Sequence, residues 1–167
     1  ENLGIEPDIF TSAKGLGGGI PIGAMLCKSF CDVFEPGSHA STFGGNPFAC
    51  AVALCVCQTL ERENILENVQ QRGEQLRDGL NKLAAQYPNL IADVRGWGLI
   101  VGLELQADIE LTSGDIVKSA IEAGVLLVPA GPKVLRFVPP LIVTAAEVDQ
   151  ALEAVESAIV SLGNAVA

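Results

Sequence analysis

Positive charge is scarce in this sequence. Ten lysines and arginines stand against twenty aspartates and glutamates, giving a net charge of -10 and a pI near 4.4. Such a surface repels nucleic-acid phosphates and anionic lipid headgroups, so neither partner is expected and any anion site has to be local. Long apolar runs are missing too. The longest, Pro47 to Cys57, falls short of the ~20 residues that a membrane span needs and reads as a buried helix. Histidine occurs once, at His39. It reads as structural. The acidic residues are scattered along helix faces, so no metal site and no paired acid and base stand out. Five cysteines, Cys27, Cys31, Cys50, Cys55 and Cys57, are odd in number, lack CxxC spacing and place three members in the apolar run. They read as reduced core thiols of a cytosolic protein. Repeats, low-complexity tracts and a targeting leader are not seen, and the opening at Glu1 leads us to expect the C-terminal part of a longer protein.

Glycine and apolar residues are plentiful. Hydrophobic residues make up 49% of the 167 positions, enough for one sizeable domain or pieces of two. Ile9 and Phe10 have strand character and run into Lys14-Gly15-Leu16-Gly17-Gly18-Gly19. The glycines remove side chains where a bulky ligand approaches the backbone and permit positive φ. A lysine there is presented to a pocket. Desolvation or a neighbouring cation turns it towards a neutral amine, a nucleophile that forms a Schiff base with a carbonyl. Nucleotide motifs fit worse. A P-loop has its lysine after the glycines and followed by Ser or Thr, and the dinucleotide fingerprint would need glycine at Ile20.

Further along, Ala24 to Cys27 reads as a strand, followed by a brief helical turn through Phe30 and Phe34 and a break at Pro36-Gly37. His39-Ala40-Ser41-Thr42-Phe43-Gly44-Gly45-Asn46-Pro47 then enters the apolar run, with Asn46 as N-cap and Pro47 as the first helical residue. A helix start with free N–H groups, two glycines and two hydroxyls suits a phosphate, or is simply a capped helix. Ile65, Leu66, Val69, Leu76, Leu80 and Leu83 have amphipathic helical spacing, and Pro88 ends that helix. Ile91 to Val94 and Leu99 to Leu105 read as an antiparallel pair turning at Arg95-Gly96-Trp97-Gly98. Ser113 is expected to cap a helix through Ile116, Val117, Ala120 and Ile121, stopped at Gly124. Val125 to Val128 and Val134 to Val138 are two more strands. Thr144-Ala145-Ala146-Glu147 is a capping box with Val143 and Val148 as a staple, and the last helix buries Leu152, Val155, Ile159 and Leu162.

A loop lysine, a hydroxyl-rich helix start and Arg136 at the end of a short strand supply an imine-forming amine, a phosphate cradle and a carboxylate clamp, parts that pyridoxal phosphate chemistry needs. The segments Pro7-Asp8-Ile9 through Lys14-Gly15 to Pro21-Ile22-Gly23-Ala24, Ser41-Thr42-Phe43-Gly44-Gly45-Asn46-Pro47, and Leu135-Arg136-Phe137-Val138-Pro139-Pro140-Leu141 resemble the class III aminotransferases along the whole chain. That resemblance implies an α/β fold of the pyridoxal-phosphate fold type I. Residues 1–60 would end the large cofactor-binding domain, 61–87 form a connecting helix, and 88–167 form a small C-terminal α+β domain. It also implies roles. Lys14 matches the lysine that binds pyridoxal 5'-phosphate covalently and shuttles a proton. Thr42 matches a threonine that reaches the cofactor phosphate from the partner subunit of a homodimer. Ser41 matches a position touching the amino donor, and Arg136 an arginine pairing the substrate α-carboxylate.

Ala130-Gly131-Pro132 ahead of Val134-Leu135-Arg136-Phe137 resembles members that move an amino group between N2-acetyl-L-ornithine and 2-oxoglutarate in arginine biosynthesis, in the cytoplasm. Ornithine, succinylornithine or 4-aminobutyrate, or an aminomutase reaction, are alternatives within the class. Outside it stands a phosphate-binding or subunit-interaction module in which Lys14 is only a charge. The family's phosphate loop, its ring-stacking aromatic residue and the aspartate on the pyridine nitrogen are expected upstream, so this piece alone is expected to be inactive.

Overall fold

The computed structural model describes residues 3–166, in two compact units, Glu1–Glu63 and Asn64–Ala167. In the first, β1 (Ile9–Ser12) and β2 (Ala24–Cys27) pair antiparallel, Ile9 opposite Cys27 and Ser12 opposite Ala24. Between them Lys14–Gly17 forms a 3-10 turn that closes at Gly18, where φ is +54°. The turn is tight. A Cβ at Gly17 would lie 2.8 Å from Ile22 Cγ2, and one at Gly18 would lie 3.3 Å from Val56 Cγ2. The second short turn covers only Ser29–Cys31, so Phe34 lies beyond it, where its ring meets that of His39 edge-on at 4.8 Å.

Helix α1 (Pro47–Arg62) starts as the sequence predicts. Asn46 Oδ1 accepts from the Ala49 N–H at 2.9 Å, and Pro47 takes the first helical position. The expected burial is not found. Of α1 only Ala49 is buried; Phe48 and Leu54 are exposed, as are Cys27, Cys50, Cys55 and Cys57, with Cys31 half-covered. The thiols are free but lie on the surface. α1 is apolar on most of its circumference, and the element chiefly packed on it in this unit is the Lys14–Gly17 turn, which covers one side.

The second unit is a four-stranded antiparallel sheet in the order β3 (Ile91–Trp97), β4 (Ile100–Leu105), β6 (Val134–Phe137), β5 (Val128–Pro129). Helices α2 (Ile65–Gln86), α3 (Ser113–Glu122) and α4 (Ala145–Val166) pack with it. Leu76, Leu80, Ile116, Val155 and Ile159 meet Val101, Leu103, Leu105, Leu135 and Phe137 in one core. On α2 the predicted apolar stripe is buried except Val69, which is half-buried against the core, and Leu66, 65% exposed, which lies one residue, roughly 100° of helix, from buried Ile65.

Three local expectations shift. The β3–β4 turn is only Gly98-Leu99, since Trp97 already pairs with Ile100, so Arg95, Gly96 and Trp97 belong to the strand. The cap of α3 is Thr112, which exchanges hydrogen bonds with Asp115 in a capping box; Ser113, 1% exposed, instead donates its hydroxyl to Gly131 O at 2.7 Å. β5 shrinks from Val125–Val128 to Val128–Pro129, with the Val125 N–H given to Ala120 O of α3, and β6 ends at Phe137 ahead of Pro139-Pro140, whose rings have no N–H for the ladder. The α4 box is as expected. Thr144 N–H donates to Glu147 Oε2 at 2.8 Å and Glu147 N–H to Thr144 Oγ1 at 3.3 Å, above buried Val143 and Val148.

Helix α2 crosses the β3–β4 turn at Gly73, where a Cβ would sit 2.4 Å from the Gly98 carbonyl oxygen and 2.7 Å from its carbon. Backbone cannot rotate aside as a side chain can. Gly73→Ala is therefore expected to destabilise the second unit by about 1–3 kcal/mol, the usual range for overpacking, read as a lower midpoint in urea unfolding at unchanged slope.

The two boxes also fix an acid limb. The Thr112 hydroxyl, then its N–H, holds Asp115 below the usual carboxylate range, and the Thr144 N–H, then its hydroxyl, does the same for Glu147. Because both folded values lie below the unfolded ones, their contribution is complete above the ordinary carboxylate range and is lost as pH falls through the lowered values. The double variant Thr112→Ala, Thr144→Ala should have a lower melting temperature at neutral pH and a flatter loss of stability on acidification. Parallel acid limbs in the two proteins would contradict this.

Candidate functional site

Lys14 opens the 3-10 turn with φ of +53°, one of two non-glycine residues with positive φ among the described residues; the other is Asn64. Asparagine visits this region readily because its short amide can bond locally, whereas lysine enters it against the clash of Cβ with the following carbonyl. The strain is set by neighbours on both sides. Ala13 is extended at φ -157°, Leu16 N–H donates to Ala13 O at 3.1 Å, and Gly17 is buried against Ile22. The Lys14 side chain is exposed, and among the described residues it forms no ion pair. The desolvation invoked from the sequence is thus not provided by the described residues.

Ser41 and Thr42 lie in the loop before α1, both exposed. Ser41 Oγ accepts from Gly44 N–H at 2.9 Å, and a Cβ at Gly44 would lie 2.8 Å from that oxygen, so a glycine is what lets Ser41 close the turn. Asn46 Nδ2 donates to Phe43 O at 2.9 Å. Pro21, Ile22 and Gly23 face Ser41, Gly44 and Asn46 across a hollow of about 330 Å3, which joins the end of the glycine loop to the helix start. Lys14 and Thr42 do not line it. The helix start offers fewer donors than expected, because Pro47 has no N–H and those of Ala49 and Cys50 go to Asn46.

Arg136 belongs to the second unit. It stands between buried Leu135 and Phe137 on β6 and is itself exposed, opposite Gly102 on β4 and Val128 on β5. The structure thus brings Lys14, Ser41 and Thr42 into one unit and Arg136 into the other. Sequence reasoning passed over the charges beside Arg136, where Arg95 bridges Asp93 and Glu104; an alternating Asp93, Arg95 and Glu104 pattern was the signal available. Among the described residues no cluster of His, Cys, Asp and Glu suits a metal ion, and no helix is long and apolar enough to cross a membrane.

The family model for Aminotransferase class-III matches residues 1–159. The chain belongs to the class III aminotransferases. The acetylornithine aminotransferase of Nostoc sp. is 73% identical over 97% of the chain, which covers 38% of that relative. That of Thermosynechococcus vestitus is 68% identical over 97% of the chain and 39% of the relative. Among solved structures, the ornithine aminotransferase of Toxoplasma gondii, described with pyridoxal phosphate at partial occupancy in its active site, superposes with a TM-score of 0.88 at 32% identity, over 96% of this chain and 38% of that one. The fold of this class III chain is accordingly the α/β fold type I of pyridoxal-phosphate-dependent transferases. The chain spans about 38% of the length of the curated relatives it matches.

Proposed function

We propose that the complete protein is a pyridoxal-phosphate-dependent transaminase that moves the amino group of N2-acetyl-L-ornithine to 2-oxoglutarate, for arginine biosynthesis. The observation that carries this reading is the 73% identity to an acetylornithine aminotransferase along 97% of the chain. Ornithine as donor has weaker support, 32% identity to the Toxoplasma enzyme. Residues 1–60 end the cofactor domain, 61–87 link, and 88–167 form the small domain. The enzyme acts as a cytoplasmic homodimer.

The residues present suit the cofactor. Lys14 is an exposed amine on a strained backbone, and the Ser41–Asn46 loop is folded on glycines that a Cβ would disrupt. Lys14 would hold the cofactor's aldehyde through its Nζ, and Thr42 its phosphate, in a site shared across the dimer interface. Pyridoxal phosphate, when bound, supplies the ring that withdraws electrons from the substrate carbon bearing the amino group. Lys14 Nζ would take and return the proton of that carbon as general base and acid. Ser41, whose oxygen accepts from Gly44, keeps its own O–H for the amino donor. Arg136 holds the α-carboxylate by its fork.

The test uses the full-length protein. With added pyridoxal phosphate it should show a visible absorbance band that borohydride fixes to the peptide containing Lys14, and it should turn over N2-acetylornithine faster than ornithine, succinylornithine or 4-aminobutyrate. No band would return the chain to a non-catalytic module. A band with another preferred donor would move the substrate assignment within the class.

A further inference from the structure

The outer face of the four-stranded sheet carries its charges in an order that bears on Arg136. Leu103 and Leu135 are fully buried, and strand alternation turns Gly102, Glu104 and Arg136 to the opposite face. Gly102 stands opposite Arg95 on β3 and Arg136 on β6, while Glu104 stands opposite Asp93 and Val134. Glu104 is therefore diagonal to two arginines, one on each neighbouring strand. Diagonal neighbours of an antiparallel pair are roughly 7–8 Å apart, within reach of long side chains, and Gly102 has no side chain to obstruct either path. Only one arginine holds the carboxylate. Arg95 Nη1 donates to Glu104 Oε2 and, at 2.9 Å, to Asp93 Oδ2. Among the described residues no acidic side chain forms an ion pair with Arg136, although Glu104 is as near to it in register.

We propose that Arg95 is a positioning residue for substrate binding: with Asp93 fixing its guanidinium, it holds Glu104 on the β3 side of the sheet and keeps that carboxylate off Arg136. Arg136 is then left open to the carboxylate of an incoming amino or oxo acid. This rests on the assignment of Arg136 to the substrate carboxylate. An internal anion competes with substrate in simple proportion, since apparent affinity falls by the fraction of Arg136 left unpaired. Glu104 resting on Arg136 for most of the time would raise KM about three- to tenfold without touching the chemical step.

The experiment is steady-state kinetics on the full-length enzyme, with N2-acetylornithine and 2-oxoglutarate varied separately. Arg95→Met should raise KM for 2-oxoglutarate, whose carboxylate adjoins the reacting carbon, by about three- to tenfold with kcat little changed, and should affect N2-acetylornithine, which reacts at its terminal amino group, much less. Glu104→Gln alone should stay near the parent, and the double variant Arg95→Met, Glu104→Gln should return to it. A merely structural arginine would not be rescued by neutralising its partner. A double variant as poor as Arg95→Met, or Arg95→Met at the parent KM, overturns the proposal. If Arg95→Met lowers the yield of folded enzyme, Arg95→Lys should keep the parent KM while Arg95→Gln shows the rise; equal KM values for these two overturn it as well. Arg136→Lys is measured alongside. No effect there refutes the assignment of Arg136 itself, whereas an effect there without one at Arg95 refutes only the role of Arg95.

Discussion

Replacing Lys14 by arginine in the complete protein is expected to lower kcat/KM by about a thousandfold or more while leaving the fold intact. Arginine keeps the positive charge and most of the length, so an electrostatic contact with the cofactor survives. It cannot act as a neutral amine at working pH, and both the covalent anchor and the proton carrier disappear. The backbone sharpens the comparison. Lys14 sits at φ +53°, a conformation that costs a non-glycine residue roughly 1–2 kcal/mol, and arginine inherits that cost unchanged. Glycine removes it. Lys14→Gly should therefore raise the melting temperature slightly while being as inactive as Lys14→Arg, the pattern of a residue kept for chemistry against its own backbone preference. Absorbance of bound cofactor, single-turnover kinetics and thermal unfolding on the three proteins decide it. Turnover near the parent rate in Lys14→Arg would remove Lys14 from the chemistry.

How much of this was legible in the sequence depends on the range of the force involved. Caps and helical stripes are local, and Asn46, Thr144-Glu147 and the Leu76-Leu80-Leu83 stripe were readable because side chains three or four residues apart determine them. Strand length is set by the partner strand. β5 pairs at Val128 and Pro129 alone, as its register with β6 sets, and local alternation does not show that register. Burial of α1 failed for a related reason. An apolar run says that something covers it, and within residues 1–63 that cover is limited to one side. Of the candidate site, the residue types and their order were plain, but φ at Lys14 and the grip of Arg95 on Glu104 come from tertiary geometry and register. Ser113 illustrates the limit: its small hydroxyl suggested a cap, while its hydrogen bond reaches Gly131, far along the chain.

Arg136→Lys is expected to lower kcat/KM for 2-oxoglutarate by about tenfold to a hundredfold and that for N2-acetylornithine much less, with stability and cofactor binding close to the parent. Stability is spared because Leu135 and Phe137, not Arg136, bury the inner face of β6, and an exposed cation on a strand tolerates a shorter relative. Binding is not spared. A guanidinium meets a carboxylate with two parallel N–H donors, and an ammonium offers a point charge without that planar fork. In a ping-pong transaminase the amino donor and the oxo acid occupy one site in turn with their reacting carbons in the same place. The carboxylate of 2-oxoglutarate adjoins that carbon, whereas N2-acetylornithine, its α-amine acylated, reacts at its terminal amino group and carries its carboxylate at the far end. The oxo-acid half-reaction should therefore suffer and the donor half-reaction much less, measured separately by cofactor absorbance after mixing with one substrate at a time. A loss confined to the donor half-reaction would move Arg136 off the carboxylate beside the reacting carbon. A fall in melting temperature without a fall in rate would make it a strut of the sheet.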